Sequence, residues 1–376
     1  MRGMETVSPA MTASTDMLTA WACAPWNALR RITADHALVT GVLKSVPEDF
    51  VVDEIPDGPL SGTGEHLYVW LEKRDLPAHQ LLQRLQRGLG VGAHEIGTAG
   101  MKDARAVTRQ HVSLPARVEG RLASIEDANI RILRVERHDT KLKTGHAQGN
   151  AFRIRVRAVA AADVPRARAS IEGLAVSGVP NYFGAQRFGR DGTTLALGRR
   201  LVAGEKPEVN GMLMRLALSA VQSSLFNACL AARVADGLFS RVLRGDVIAD
   251  RKLGIVSVAI DAEAEEERSR AGRVTTLGPM FGPKMREARH EVADRESAVL
   301  TAAGLTRAAF MPHRHLIPGT RRAYRIWLDA PTFEPVEGGF VIGFTLPAGA
   351  YATVVLNEVI RNQTDVSAET ENETGS

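Results

Sequence analysis

Residues Phe152 to Arg157 alternate strictly: Phe152, Ile154 and Val156 fall on one parity, Arg153, Arg155 and Arg157 on the other. A period of two is the repeat of a β-strand, whose successive side chains leave opposite faces of the sheet. The segment must therefore bury an apolar face and turn a row of guanidinium groups the other way. Such a row suits phosphates, and each phosphate neutralised makes binding more salt-sensitive. The plainer alternative is a solvated strand face. The row closes the most basic stretch of the chain, Arg131 to Arg157, which also holds Lys141 and Lys143 and has only Glu136 and Asp139 as acids.

Other elements follow from period and punctuation. Phe50 to Ile55 and Leu67 to Leu71 read as strands, the second with Leu67, Val69 and Leu71 on one face and His66, Tyr68 and Trp70 on the other. The loop between them, Pro56 to Gly64, is rich in Gly and Pro. Ala78, Leu81, Leu82, Leu85 and Leu89 have helical spacing, with Asp75 as cap, Pro77 in the first turn, and Gly88 and Gly90 as the stop. Gly178 to Gly192 reads as a shaped junction, and Leu213 to Val234 as a long helix. Asp261 to Glu267 reads as a solvated acidic run and Gly278 to Pro283 as a rigid turn. Phe340 to Leu346 returns to strand, followed by a helix from Tyr351 to Arg361. No internal repeat is visible.

A chain of 376 residues, 44% hydrophobic and 24% charged, has room for two globular domains with sizeable cores. Its net charge is +4, although Gln363 to Ser376 carries four acids and no Lys or Arg, so the body is more basic than the total and suits a polyanion. The two cysteines, Cys23 and Cys229, lie in no zinc-binding spacing and do not resemble a secreted disulfide framework. His313 and His315 flank Arg314 and read as solvent-facing, so no metal site is expected. No apolar run approaches the roughly 20 residues that span a bilayer, and no membrane is expected. Residues 1–25 read as a disordered leader without a secretory signal, with Met17 as an alternative start, and 363–376 as a disordered acidic tail. The cytoplasm is the default compartment. There is no P-loop, dinucleotide fingerprint or nucleophile elbow.

Gly100 to Gln110 (GMKDARAVTRQ) sets Asp103 between Lys102 and Arg105, soon after a glycine that lets the backbone turn. Flanking cations keep an acid ionised and hold an anionic polymer beside it, a setting for covalent or acid/base work on a phosphate-bearing substrate. The alternative is a surface turn with a solvated charge cluster.

This stretch resembles the nucleophile motif GxKDxxAxTxQ of the TruD pseudouridine synthases. Four other stretches resemble that family's motifs in the right order: Lys44 to Phe50 (KSVPEDF), Lys141 to Phe152 (KLKTGHAQGNAF), Asn181 to Gly189 (NYFGAQRFG) and Phe344 to Glu358 (FTLPAGAYATVVLNE). Together they span about Leu43 to Ile360. The resemblance implies an α+β protein: a pseudouridine-synthase core with an antiparallel mixed sheet flanked by helices, in 26–177 and 326–362, and an inserted α+β TRUD domain, 178–325, with a basic cleft between them. It implies conversion of uridine to pseudouridine in tRNA, at position 13 in bacterial members, by a monomer without cofactor or protein partner. Breaking a glycosidic C–N bond and making a C–C bond needs neither redox chemistry nor phosphoryl transfer.

Carried over residue by residue, Asp103 is the nucleophile, Lys44 its charge partner, and Phe50, Asn150 and Tyr351 line the uridine pocket. Lys102, Arg105, Lys141, Lys143, Arg153, Arg155, Arg157 and Arg187 are expected to hold RNA backbone. Tyr351 departs from the Phe expected in much of the family, and Thr276 to Gly282 (TLGPMFG) is a loose version of a PTGPLWG-like stretch. A non-catalytic tRNA-binding or folding protein on the same scaffold is the second reading, and a metal-independent RNA hydrolase using Asp103 as base the third.

Overall fold

A computed structural model describes residues 13–24, 29–33 and 38–365. Helix α1 (Thr15–Cys23) opens it, inside the stretch expected to be a disordered leader. Ser14 caps the helix by accepting the Met17 amide, and Leu18, Trp21 and Ala22 are buried. An apolar face supported by a cap makes structure where composition alone suggested none. Residues 1–12 of that leader lie outside the described residues.

The chain then lays down β1 (Val39–Leu43), a 3₁₀ turn (Pro47–Asp49), β2 (Phe50–Pro56), β3 (His66–Arg74), α2 (Ala78–Leu89), β4 (Gly97–Thr98), β5 (Val107–Pro115), β6 (Ile130–His138), β7 (Ala147–Arg157) and α3 (Val164–Ser177). The short strand β8 (Val179–Pro180) follows, then α4 (Thr193–Val202), α5 (Gly211–Ala235), β9 (Val247–Asp250), β10 (Val256–Val258), α6 (Ala262–Arg270), β11 (Val274–Met280), α7 (His290–Ala302), β12 (Thr320–Ala323) and β13 (Arg325–Ile326). The last elements are β14 (Asp329–Val336), β15 (Gly339–Pro347), α8 (Ala352–Val359) and β16 (Ile360–Asp365).

Two compact units result. Among the described residues, one comprises 38–176, 327–352 and 359–365; the other comprises 13–24, 29–33, 177–326 and 353–358. Helix α1 and most of α8 thus group with the inserted segment rather than with the core sheet. The helix expected to reach Arg361 stops at Val359, and Ile360–Asp365 becomes a strand parallel to β1. The supposed tail therefore begins inside a sheet, and residues 366–376 lie outside the described residues.

The core unit is a ten-stranded sheet in the order β14-β15-β7-β2-β5-β3-β6, with β1, β4 and β16 joined at its margins. Pairing is antiparallel except for β1–β16 and β2–β5. Phe152, Ile154 and Val156 are buried, as the alternation of β7 requires. Helix α2 presses Leu81, Leu85 and Leu89 onto Leu67, Val69, Leu71, Val112 and Leu114. Asp75 does not cap it: Pro77 occupies that position, and Asp75 takes a left-handed backbone with its amide on the Ala106 carbonyl. Gly88 lies within the helix, and Gly90, at φ 62°, ends it.

The inserted unit holds the sheet β10-β9-β11-β12 and the pair β8–β13. Helix α5 is long and apolar enough to cross a membrane by length and composition, contrary to the expectation that no such run exists. Every residue from Ala220 to Arg233 is buried, which is the pattern of an interior helix. The expected turn at Gly278 to Pro283 begins as strand: β11 is buried throughout and pairs with β9 through Thr276 and with β12 from Leu277 to Met280. Pro279 lies past the β9 ladder, where its missing N–H costs little. The acidic run became α6, N-capped by Asp261, with Glu266 buried against Arg241 and Arg270. Both cysteines are free.

Candidate active site

Register across the core sheet places residues from distant segments in rows on one face. Lys73, Thr108, Val52, Phe152 and Phe344 form one row through β3, β5, β2, β7 and β15. Two residues along β2, Glu54 faces Asn150, and Asn150 faces Leu346. In the opposite direction Phe50 faces Ile154. Gly149 makes the β7–β15 approach possible: a Cβ there would sit 2.2 Å from the Leu346 carbonyl oxygen. Asn150 is thereby fixed beside the end of β15.

Over this face lies the loop from Thr98 to Val107, which carries Lys102, Asp103 and Arg105, and its neighbours pin it at several points. The Gly145 amide donates to the Ala99 carbonyl at 2.9 Å. Lys102 turns inward, its side chain 8% exposed, and donates to Asn150 Oδ1 at 2.7 Å. Its Nζ also lies 2.9 Å from Glu54 Oε2, whose carboxylate is 1% exposed. That oxygen has no geometrically acceptable hydrogen bond, so charge holds this contact and the aligned bond goes to Asn150. Lys73 donates to the Asp103 main-chain carbonyl, and Arg105 donates to the Ser45 carbonyl at 3.1 Å. No glycine is needed for the turn itself, since Gly100 has no left-handed φ and open space around its Cα.

The Asp103 carboxylate remains 37% exposed and meets Lys44 Nζ at 3.3 Å. Lys44 reaches it from the junction between β1 and the 3₁₀ turn, where its own backbone is left-handed at φ 53°. That conformation is costly for a lysine and is the sort of strain that functional positions hold. Its ammonium stands 4.4 Å above the centre of the Phe50 ring. The site thus offers one ionisable oxygen pair, steadied by a cation and open on one side. Among the described residues no group of three or more His, Cys, Asp or Glu is arranged to hold a metal.

The family model described as tRNA pseudouridine synthase D (TruD) matches residues 29–211 and 207–359. The tRNA pseudouridine synthase D of Anaeromyxobacter dehalogenans is 41% identical over 344 residues, covering 90% of this chain and 98% of that protein. That of Thermus thermophilus is 38% identical over 331 residues, covering 88% and 91%. The chain belongs to the TruD family of tRNA pseudouridine synthases. It is an enzyme of that family, an isomerase acting in tRNA processing. A crystal structure assigned to tRNA pseudouridine synthase D (TruD) from Methanosarcina mazei superposes with a TM-score of 0.70 at 25% identity, covering 88% of this chain and 96% of that one, and has the same α+β fold.

Within this TruD chain, Lys44, Asp103, Phe50, Lys102 and Asn150 come together as one connected group. Tyr351 follows β15, whose Leu346 and Pro347 pair with Asn150 and Gly149, so it leaves the sheet at the Asn150 end. Phe50 needs correction as a stacking surface. Its ring is 1% exposed, with Lys44 over one face and Phe152 edge-on at 6.1 Å, so here it supports Lys44 and offers no open face.

The expected phosphate row also changes. Lys102 is buried in the site and cannot face phosphate. Arg157 clamps Asp49 with three hydrogen bonds of 2.8 to 3.0 Å, because the Asp49 carboxylate is buried and needs a counter-ion. Arg155 is half-buried and reaches the Glu337 carbonyl at 3.5 Å. Lys141 donates to the His94 carbonyl. Arg187, in the inserted unit, donates to Ser219 and Ser223 on α5. Arg153 and Lys143 are exposed.

Two buried charges at this TruD site were missed: Glu54 and Lys73. Each has a signal in the sequence. Glu54 continues the apolar parity of Phe50 and Val52, and Lys73 that of Leu67, Val69 and Leu71. A charge on the covered parity of a strand is rare unless something in the interior uses it.

Proposed function

We propose that this enzyme isomerises a uridine of tRNA, at position 13, with Asp103 as nucleophile on a base extruded from its stack and with no cofactor. The observation that carries the reading is the Lys44–Asp103 contact, 3.3 Å long, on a carboxylate open to solvent at one side. Lys44 pairs with one carboxylate oxygen and leaves the second available to the sugar or base. Asn150 acts through Lys102, since its amide oxygen accepts from that ammonium. Tyr351 supplies an aromatic face for the extruded base, and stacking of that kind offsets part of the few kcal/mol that extrusion costs. Phosphates are held first by Arg153 and Lys143.

The test is Asp103→Asn. The variant should fold, bind tRNA with affinity within about twofold of wild type, and form no pseudouridine, while the wild-type product keeps the mass of its substrate because isomerisation conserves atoms. Retained turnover would remove Asp103 from the reaction. A cleaved product would point to hydrolysis. Mapping pseudouridine in tRNA from cells with and without the gene checks position 13.

A further inference from the structure

Lys73 is a charged residue on the covered face of β3, and its side chain is fully buried at 0% exposure. Among the described residues no carboxylate lies within ion-pair distance of it. Its Nζ donates instead to two main-chain carbonyls, Leu76 at 2.8 Å and Asp103. An ammonium buried without a paired acid is costly, so the arrangement is not explained by stability. What it fixes is the loop. The Leu76 carbonyl belongs to the turn between β3 and α2, a rigid base seated in the core. The Asp103 carbonyl belongs to the residue whose carboxylate does the work.

We propose that Lys73 is a positioning residue for the reaction: its ammonium ties the main chain at Asp103 to the end of β3 and so sets where the carboxylate meets the uridine. The inference rests on the reading of Asp103 as nucleophile. The charged groups acting on Lys73 are Asp103 and Lys102 in the loop above it and Asp75 just past its own strand. Burial is the largest influence and draws its pKa down from 10.5 to about 8, with Lys102 acting the same way and Asp103 and Asp75 opposing. Above that pH the side chain becomes an amine with two donors in place of three and no charge, and the clamp loosens.

The experiment is single-turnover pseudouridine formation on a tRNA transcript, with tRNA affinity measured alongside, using full-length Lys73→Met. The rate constant should fall about tenfold or more, with Kd within about twofold, and the fall in the wild-type rate as pH rises through about 8 should be absent from the variant. A wild-type rate in Lys73→Met, or an alkaline fall that persists in it, overturns the proposal. Should Lys73→Met fail to fold, Asp75→Asn replaces it: the residue is exposed and its left-handed backbone suits asparagine. Removing that acid should move the wild-type alkaline fall to lower pH, and an unmoved fall overturns the proposal. Asp103→Asn separates the two ideas. Turnover there defeats the nucleophile assignment itself, whereas no turnover there together with a wild-type rate in Lys73→Met defeats the clamp alone.

Discussion

Lys102 and Glu54 show how a residue's neighbours decide its work. Beside Asp103 in the chain, Lys102 reads as a phosphate contact; in the fold it is the counter-ion of a buried acid. Replacing it with methionine should leave the buried Glu54 carboxyl without its partner, at a cost of about 3–5 kcal/mol by denaturant titration, and Glu54→Gln added to it should recover part of that loss. An effect near zero would mean that water reaches Glu54. Lys73 makes the opposite prediction with pH. Its folded pKa, about 8, lies below its ordinary 10.5, so the folded state sheds the proton first. The cost of the buried charge is fully present below about 8 and fades as pH rises toward 10.5. Over that window wild type should gain stability relative to Lys73→Met, by at most about 3 kcal/mol. Thermal melts of both proteins at several pH values check the sign.

At the scale of the element, β7 carries both halves of the site's design. One parity buries Phe152, Ile154 and Val156, and the other sends its three arginines to three different tasks. Arg157 is structural. Burial pushes the Asp49 carboxyl up, but the Arg157 guanidinium and the Val46 amide outweigh it and leave the pKa below its usual value. That pair therefore adds stability above about pH 4, and the contribution is lost as pH falls through the lowered value. Arg157→Ala should cost about 1–3 kcal/mol at neutral pH, because Arg157 itself is partly solvated, and should flatten the acid limb of the stability curve. Arg153→Ala should leave the melting temperature within about 1 °C, as expected for an exposed side chain. Equal melting losses in the two variants would mean the row acts as one surface.

The whole molecule is a modestly basic chain with two cores and tRNA as its family's substrate. Its tRNA affinity should fall linearly with salt on logarithmic axes, and Lys143→Ala with Arg153→Ala should each reduce the slope by about one. A slope unchanged by both would place the phosphate contacts elsewhere.

The sequence alone determined the β7 alternation, the α2 stripe, the strand pattern of Phe340 to Leu346 and the family, because each is a local period or an ordered set of short motifs. It also brought Lys44, Asp103 and Asn150 together on paper, through resemblance rather than through any calculation of distance. Tertiary structure alone decided which cations face solvent. Lys102, Arg157 and Arg153 are alike in sequence, and only the positions of buried Glu54 and Asp49 separate them. It likewise turned the start of the Gly278 tract into a strand, by supplying β12 as a partner, and part of the leader into a helix, by covering Trp21. Local pattern says what a segment prefers, whereas a buried charge or an unpaired edge is answered by whatever the fold brings beside it, and that neighbour lies tens or hundreds of residues away.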